Sequence, residues 1–140
     1  MADLALFSFL KIIAKINKFS HILDYSNNVA LNERMPGYKV KMGFGLHQGW
    51  AIEGAIGSFH KIDASYLSPN VNMASRLEAA TKQYGVALLI SGSLHDIFSE
   101  PIKKICREVD TALVKGSLVP MRLFTVDINF EGLAEKKDRL

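Results

Sequence analysis

Residues 68–85 read SPNVNMASRLEAATKQYG, and this stretch holds the clearest element of the chain. Ser68 suits a helix N-cap, and Pro69 suits the first helical position, where its missing N–H loses no bond. Gly85 suits the stop. Between them Met73, Leu77, Ala80 and Tyr84 recur at helical spacing and form one apolar stripe, so the stretch predicts a helix laid on a core. Asn72 and Arg76 are four residues apart and project from one face of that helix.

Upstream, residues 38–47 alternate apolar side chains (Tyr38, Val40, Met42, Phe44, Leu46) with Lys39, Lys41, Gly43 and Gly45, which predicts a strand. Gln48-Gly49 is a turn candidate and residues 50–56 read as a second strand, so the pair predicts a hairpin. Gly43, Gly45, Gly49, Gly54 and Gly57 crowd this region. No Gly-Lys-Ser/Thr closes it, which excludes a Walker A loop, and glycines in strands mark bulges or close backbone approach. Residues 61–67 read as short and partly extended. Residues 3–24 read as an amphipathic helix, with Leu6, Phe9, Leu10, Ile13 and Ile16 on one face and Lys11, Lys15 and Lys18 on another. Packing on a sheet is the favoured reading of that helix, lying on a membrane surface the other. Asn27, Asn28, Asn32, Pro36 and Gly37 mark a polar connection after it. Downstream, residues 86–91 predict a short buried strand, 92–98 a short helix, and 102–110 and 121–128 two further strands. Lys115-Gly116-Ser117 forms the polar loop between those strands, and a charged tail runs from 131 to 140. This order predicts an α/β architecture, an α+β sandwich with helices packed on a mostly antiparallel sheet.

The 140 residues suit one domain, and 49% hydrophobic residues suffice for a core. The net charge is +3 and the basic residues form no long run, so no nucleic-acid partner is suggested. The single cysteine, Cys106, cannot close an internal disulfide and reads as a small buried strand residue, in keeping with a reducing compartment. Asp3 precedes the first apolar run, lysines interrupt it and no small-residue cleavage site follows. A soluble, intracellular chain is therefore expected. His21, His47, His60 and His95 are scattered without ligand spacing, so no zinc site is expected, and His47 reads as a structural strand residue.

Three segments resemble the class III adenylyl and guanylyl cyclases. KMGFGLHQGWAIEGAIGS (41–58) looks like the family's Gly-Ile-His-Thr-Gly strand and the glycine-rich strand after it. SPNVNMASRLEAA (68–80) looks like its Val-Asn-x-Ala-Ser-Arg-Leu-Glu helix, and this is the most specific match. ALVKGSLVPMRLFTV (112–126) resembles its Leu-Lys-Gly-Lys loop and closing strand. The resemblance covers residues 38–128, while residues 1–35 fit the family's preceding helix more loosely. It implies a ferredoxin-like cyclase fold, N-terminally truncated, with residues 1–130 as a partial catalytic domain.

The resemblance also implies roles. A cyclase joins the ribose 3′ oxygen of ATP or GTP to the α-phosphate and expels pyrophosphate, so the growing phosphate charge must be stabilised and the attacking oxygen held in line. Arg76 matches the family's phosphate-binding arginine, a fixed fork of donors. Asn72 matches the ribose-orienting asparagine, and Lys115 the loop lysine at the terminal phosphates. Counting back from Asn72, the purine-reading position falls on Ser65, which leans to adenine; Asp63 takes that role if the strand register shifts. The family's two metal-binding aspartates have no counterpart here: Asp3, Asp24 and Asp63 match neither position. The Mg²⁺ or Mn²⁺ of a complete enzyme is therefore expected on ligands outside this chain. A second cyclase domain is the expected partner, because family active sites form between two domains and these residues make the Asn/Arg/Lys half. Alone the chain is expected to be inactive, and a non-catalytic regulatory or dimerisation module is the alternative. A cytoplasmic setting is expected, with membrane attachment only through other parts of a larger parent. Two departures stand out: Ser68-Pro69-Asn70 replaces the usual Gly-Asp/Asn-Thr, and Trp50 follows Gln48-Gly49, either exposed at a domain contact or buried in the core.

Overall fold

In the computed structural model residues 1–129 are described, Ser20 by its backbone alone. The helix anticipated at its centre, α4 (Pro69–Tyr84), starts and stops where its signals lie. Ser68 is extended (φ −168°, ψ 150°) and its hydroxyl accepts from the Asn70 N–H at 3.0 Å. Gly85 is left-handed (φ 65°) and its N–H reaches the Thr81 carbonyl. Met73, Leu77 and Thr81 are buried along the inner face. Leu77 joins Leu89 and Leu123 in a core against which Ala80, Tyr84, Val86 and Val109 pack.

The described residues divide into two compact units, residues 43–126 and a second made of residues 1–42 with 127–129. The first holds α4, six strands and two short helices: β1 (Phe44–Leu46), β2 (Ile52–Ser58), β3 (Lys61–Leu67), β4 (Leu88–Ser91), α5 (Gly92–His95), α6 (Glu100–Ile105), β5 (Cys106–Ala112) and β6 (Met121–Val126). Four strands form a mixed sheet in the order β1-β4-β6-β5, and β2 and β3 form a separate two-stranded ribbon. β1 runs parallel to β4 (Phe44 opposite Leu88), while β6 is antiparallel to β4 and to β5. A parallel pair needs a long crossover, and α4 supplies it. All four residues of β4 are buried, and the buried Thr125 hydroxyl on β6 donates to the Leu88 carbonyl at 2.7 Å. The fold is thus α/β, with helices and a mixed sheet in which antiparallel ladders predominate.

Three expectations for this unit are corrected. Residues 38–47 and 50–56 do not form a hairpin: only Phe44–Leu46 is a strand, it pairs with β4, and β2 pairs with β3 (Ile52 opposite Leu67, Ser58 opposite Lys61). The glycines here serve close backbone approach, one of the two roles expected of glycines in strands. A Cβ on Gly45 would run into the Ala74 carbonyl and the backbone of Glu78, so α4 crosses directly over β1. Residues 102–105, expected to open a strand over 102–110, are helical instead, because Pro101 and Glu100 open a turn that Lys103 and Lys104 close. His47 lies just beyond β1, outside any strand.

The second unit begins with α1 (Ala2–Lys18), which buries Leu6 and Ile13 and exposes Lys11, Lys15 and Lys18. It ends at Phe19 instead of running to 24, followed by α2 (Ser20–Leu23) and a 3₁₀ turn (Asp24–Asn27). The predicted polar connection contains a helix of its own, α3 (Val29–Arg34), capped by the Asn28 side chain accepting from Leu31 N–H at 3.2 Å. Asn32 ties the connection together, donating to the Ser26 carbonyl (2.7 Å) and accepting from Tyr38 N–H (3.2 Å). The tail at 131–140 lies outside the described residues. Among the described residues no helix is long and apolar enough to cross a membrane.

Candidate active site

α4 carries Asn72 in its first turn, exposed to solvent, and Arg76 one turn later, half-buried. The loop between β5 and β6 brings Lys115 to the same place. It is held by a tight turn in which Ser117 N–H donates to the Val114 carbonyl at 2.8 Å. The Arg76 guanidinium donates through Nη1 to the Lys115 carbonyl, a contact between residues 39 apart in sequence. Gly116 adopts φ 87°, the left-handed region where other residues are strained, and a Cβ on it would collide with the same guanidinium. Loop and arginine are thus fitted to each other. The remaining guanidinium N–H groups can serve a planar or tetrahedral oxyanion, since five donors are available and one is used.

Ser65 and Asp63 stand two residues apart on β3 and so share a face of the ribbon, opposite Gly54 and Ile56 respectively. Both are exposed, and Asp63 pairs with Lys61 at 3.2 Å. No hydrogen bond or ion pair among the described residues joins either of them to Asn72, Arg76 or Lys115. The structure therefore brings Arg76 and the Lys115 loop together, sets Asn72 on the same helix, and leaves the two purine-position candidates on the preceding strand. Trp50 is exposed, at 65% of its accessible surface. Among the described residues no three His, Cys, Asp or Glu side chains cluster as a bound metal ion would require.

No protein-family model matches the chain. Over 89 residues it is 34% identical to an adenylate cyclase of Anabaena cylindrica, a match covering 63% of this chain and 18% of that protein. Over 104 residues it is 29% identical to adenylate cyclase 1 of Rhizobium meliloti (strain 1021), covering 74% of this chain and 15% of the relative. A solved bacterial light-regulated adenylyl cyclase superposes with a TM-score of 0.51 at 28% identity, over 65% of this chain and 27% of that one. A second structure under the same description gives 0.51 at 30% identity, over 61% and 23%. The chain carries a class III cyclase-like domain.

The cyclase-like domain spans less than a fifth of the length of the curated relatives it matches. Its geometry adds contacts that the sequence does not show. Asn70, placed where the segment departs from the family pattern, donates through Nδ2 to the Trp50 carbonyl (2.8 Å) and to Ser68 Oγ (3.1 Å). Ser68 Oγ donates to the Trp50 carbonyl at 2.6 Å. His47 bridges Asn70 Oδ1 (3.0 Å) and Ser91 Oγ (2.8 Å). The departure at Ser68-Pro69-Asn70 was the available signal; the partners, 18 to 44 residues away, were not legible.

Proposed function

We propose that the cyclase-like domain takes part in converting ATP or GTP to a cyclic nucleotide and pyrophosphate, with Asn72, Arg76 and Lys115 on the ribose and phosphates. The observation that carries this reading is the meeting of the Arg76 guanidinium with the Lys115 loop on the helix that also bears Asn72. In this reading the 3′ oxygen attacks the α-phosphate and pyrophosphate leaves. Arg76 holds phosphate oxygens as charge grows on them, Asn72 orients the ribose, and Lys115 faces the terminal phosphates. Ser65, or Asp63 in its place, reads the base, and the adenylate cyclase relatives favour ATP. The described residues hold no group of three or more His, Cys, Asp or Glu side chains for Mg²⁺ or Mn²⁺, and no step is assigned to a metal on this chain. A second cyclase domain would contribute the carboxylates. A second copy or partner surface is also in keeping with the exposed ribbon, where Ile52, Ile62, Tyr66 and Leu67 all face solvent.

The missing counterparts of the family's two metal-binding aspartates, with the altered entry to α4 at Ser68-Pro69-Asn70, favour the second reading, a regulatory module that pairs with a complete domain and does no chemistry itself. The test is to pair the chain with a cyclase domain that supplies the aspartates, add Mg²⁺ or Mn²⁺ with ATP or GTP, and measure cyclic product. Arg76→Ala should lower kcat on the order of 100- to 1,000-fold, the usual cost of removing a donor aimed at developing charge. Equal turnover by wild type and variant would remove Arg76 from the site and leave the regulatory reading.

A further inference from the structure

His47 lies just past β1, and its half-buried ring touches two other elements at once. On one side is Ser91, fully buried, which ends β4 and caps α5 by accepting from Leu94 N–H at 3.4 Å. On the other is Asn70, the second residue of α4. Asn70 Nδ2 donates to the Trp50 carbonyl and to Ser68 Oγ, which turns Asn70 Oδ1 toward His47. Oδ1 only accepts, so His47 Nε2 carries the proton. His47 Nδ1 meets the Ser91 hydroxyl at 2.8 Å, with Ser93 Oγ 3.4 Å from the same nitrogen. Ser68, itself buried, caps α4 and donates to the same Trp50 carbonyl. Thus the end of β1, the end of β4 and the chain before β2 all converge on the first turn of α4. That turn also bears Asn72, two residues after Asn70.

We propose that His47 is a positioning residue of the nucleotide site: through Asn70 it fixes the first turn of α4, and so the place of Asn72. The inference rests on the cyclase reading of Asn72 and goes beyond it by assigning His47, Asn70 and Ser91 a task. An imidazole held between a hydroxyl and an amide is a rigid spacer of fixed length, which is what a group holding a ribose in line requires. A glutamine can reproduce both ends, with its amide N–H on Asn70 and its carbonyl accepting from Ser91, whereas a leucine fills the space and makes neither bond.

Two measurements test this. In the 140-residue chain alone, amide hydrogen exchange at Val71, Asn72 and Met73 should quicken about tenfold or more in His47→Leu and in Asn70→Ala. Exchange in β4 and β6 should stay unchanged, and His47→Gln should restore wild-type protection. In the chain paired with a complementary cyclase domain, His47→Leu should lower kcat on the order of 10- to 100-fold with KM for the nucleotide little changed, and His47→Gln should recover most of it. Asn72→Ala is the control. If Asn72→Ala is impaired while His47→Leu turns over as wild type, the positioning role is overturned and the cyclase reading stands. If Asn72→Ala and Arg76→Ala both match wild type, the cyclase reading falls and His47 has no site to position. Unchanged exchange at Val71–Met73 in His47→Leu overturns the proposal on its own.

Discussion

Arg76 shows how far a single residue could be read in advance. Its type and its spacing from Asn72 marked it as a phosphate ligand by resemblance, yet its partner, the Lys115 carbonyl, lies 39 residues away on a loop whose path depends on the β5–β6 turn. Local sequence carries no record of such a meeting. The same holds for Asp96. Arg122 donates to both of its carboxylate oxygens at 2.8 Å and lies over Phe124, 5.6 Å from the ring centre, while the His95 ring stacks on Phe124 with centroids 3.8 Å apart. The hydrogen bond from Arg122 holds the Asp96 carboxyl below its ordinary pKa. A carboxylate whose pKa is depressed on folding adds stability above the unfolded value, about pH 3.9, and loses it as the pH falls through the folded value. Thermal midpoints at neutral pH and near pH 3 should therefore fall further apart in the wild type than in Arg122→Met. An equal fall in both would remove this pair from the acid response.

At the scale of elements, legibility tracked how local the deciding signal was. The start and stop of α4 depend on Ser68, Pro69 and Gly85, all within or beside the helix, and all three act as read. Ser68 was identifiable as a cap because its hydroxyl needs a partner only two residues away. The hairpin at 38–56 was misread because β1 is three residues long and owes its place to α4 and β4, which lie much later in the chain. Helix α6 was misread because Ile102 and Ile105 lie in a segment of six residues, too short for the period to separate strand from helix; Pro101 was the better signal. The helix-capping argument makes its own prediction. Ser68→Ala removes the cap and the bond to the Trp50 carbonyl, and chemical denaturation should show a loss of about 1–2 kcal/mol. A change within error would mean that Pro69 and the packing of α4 suffice to start the helix.

At the scale of the whole molecule, two compact units and a match to less than a fifth of its curated relatives frame the account. The fold class was legible because alternating short strands and helices leave few architectures able to bury Leu77, Leu89 and Leu123 together. The separate standing of the β2–β3 ribbon was not, since a two-stranded ribbon is only marginally stable in water and alternation alone does not say which strands pair. The central claim is that α4 and the β5–β6 loop, remote in sequence, form one phosphate-binding unit through Arg76 and Lys115. A double-mutant cycle on kcat, with Arg76→Ala, Lys115→Ala and the double variant in the paired enzyme, tests it most directly. The account predicts that each single change is severe and that the double variant is little worse than Arg76→Ala, because groups acting as a unit are not additive. Losses that simply multiply, or a Lys115→Ala enzyme as fast as wild type, would contradict it.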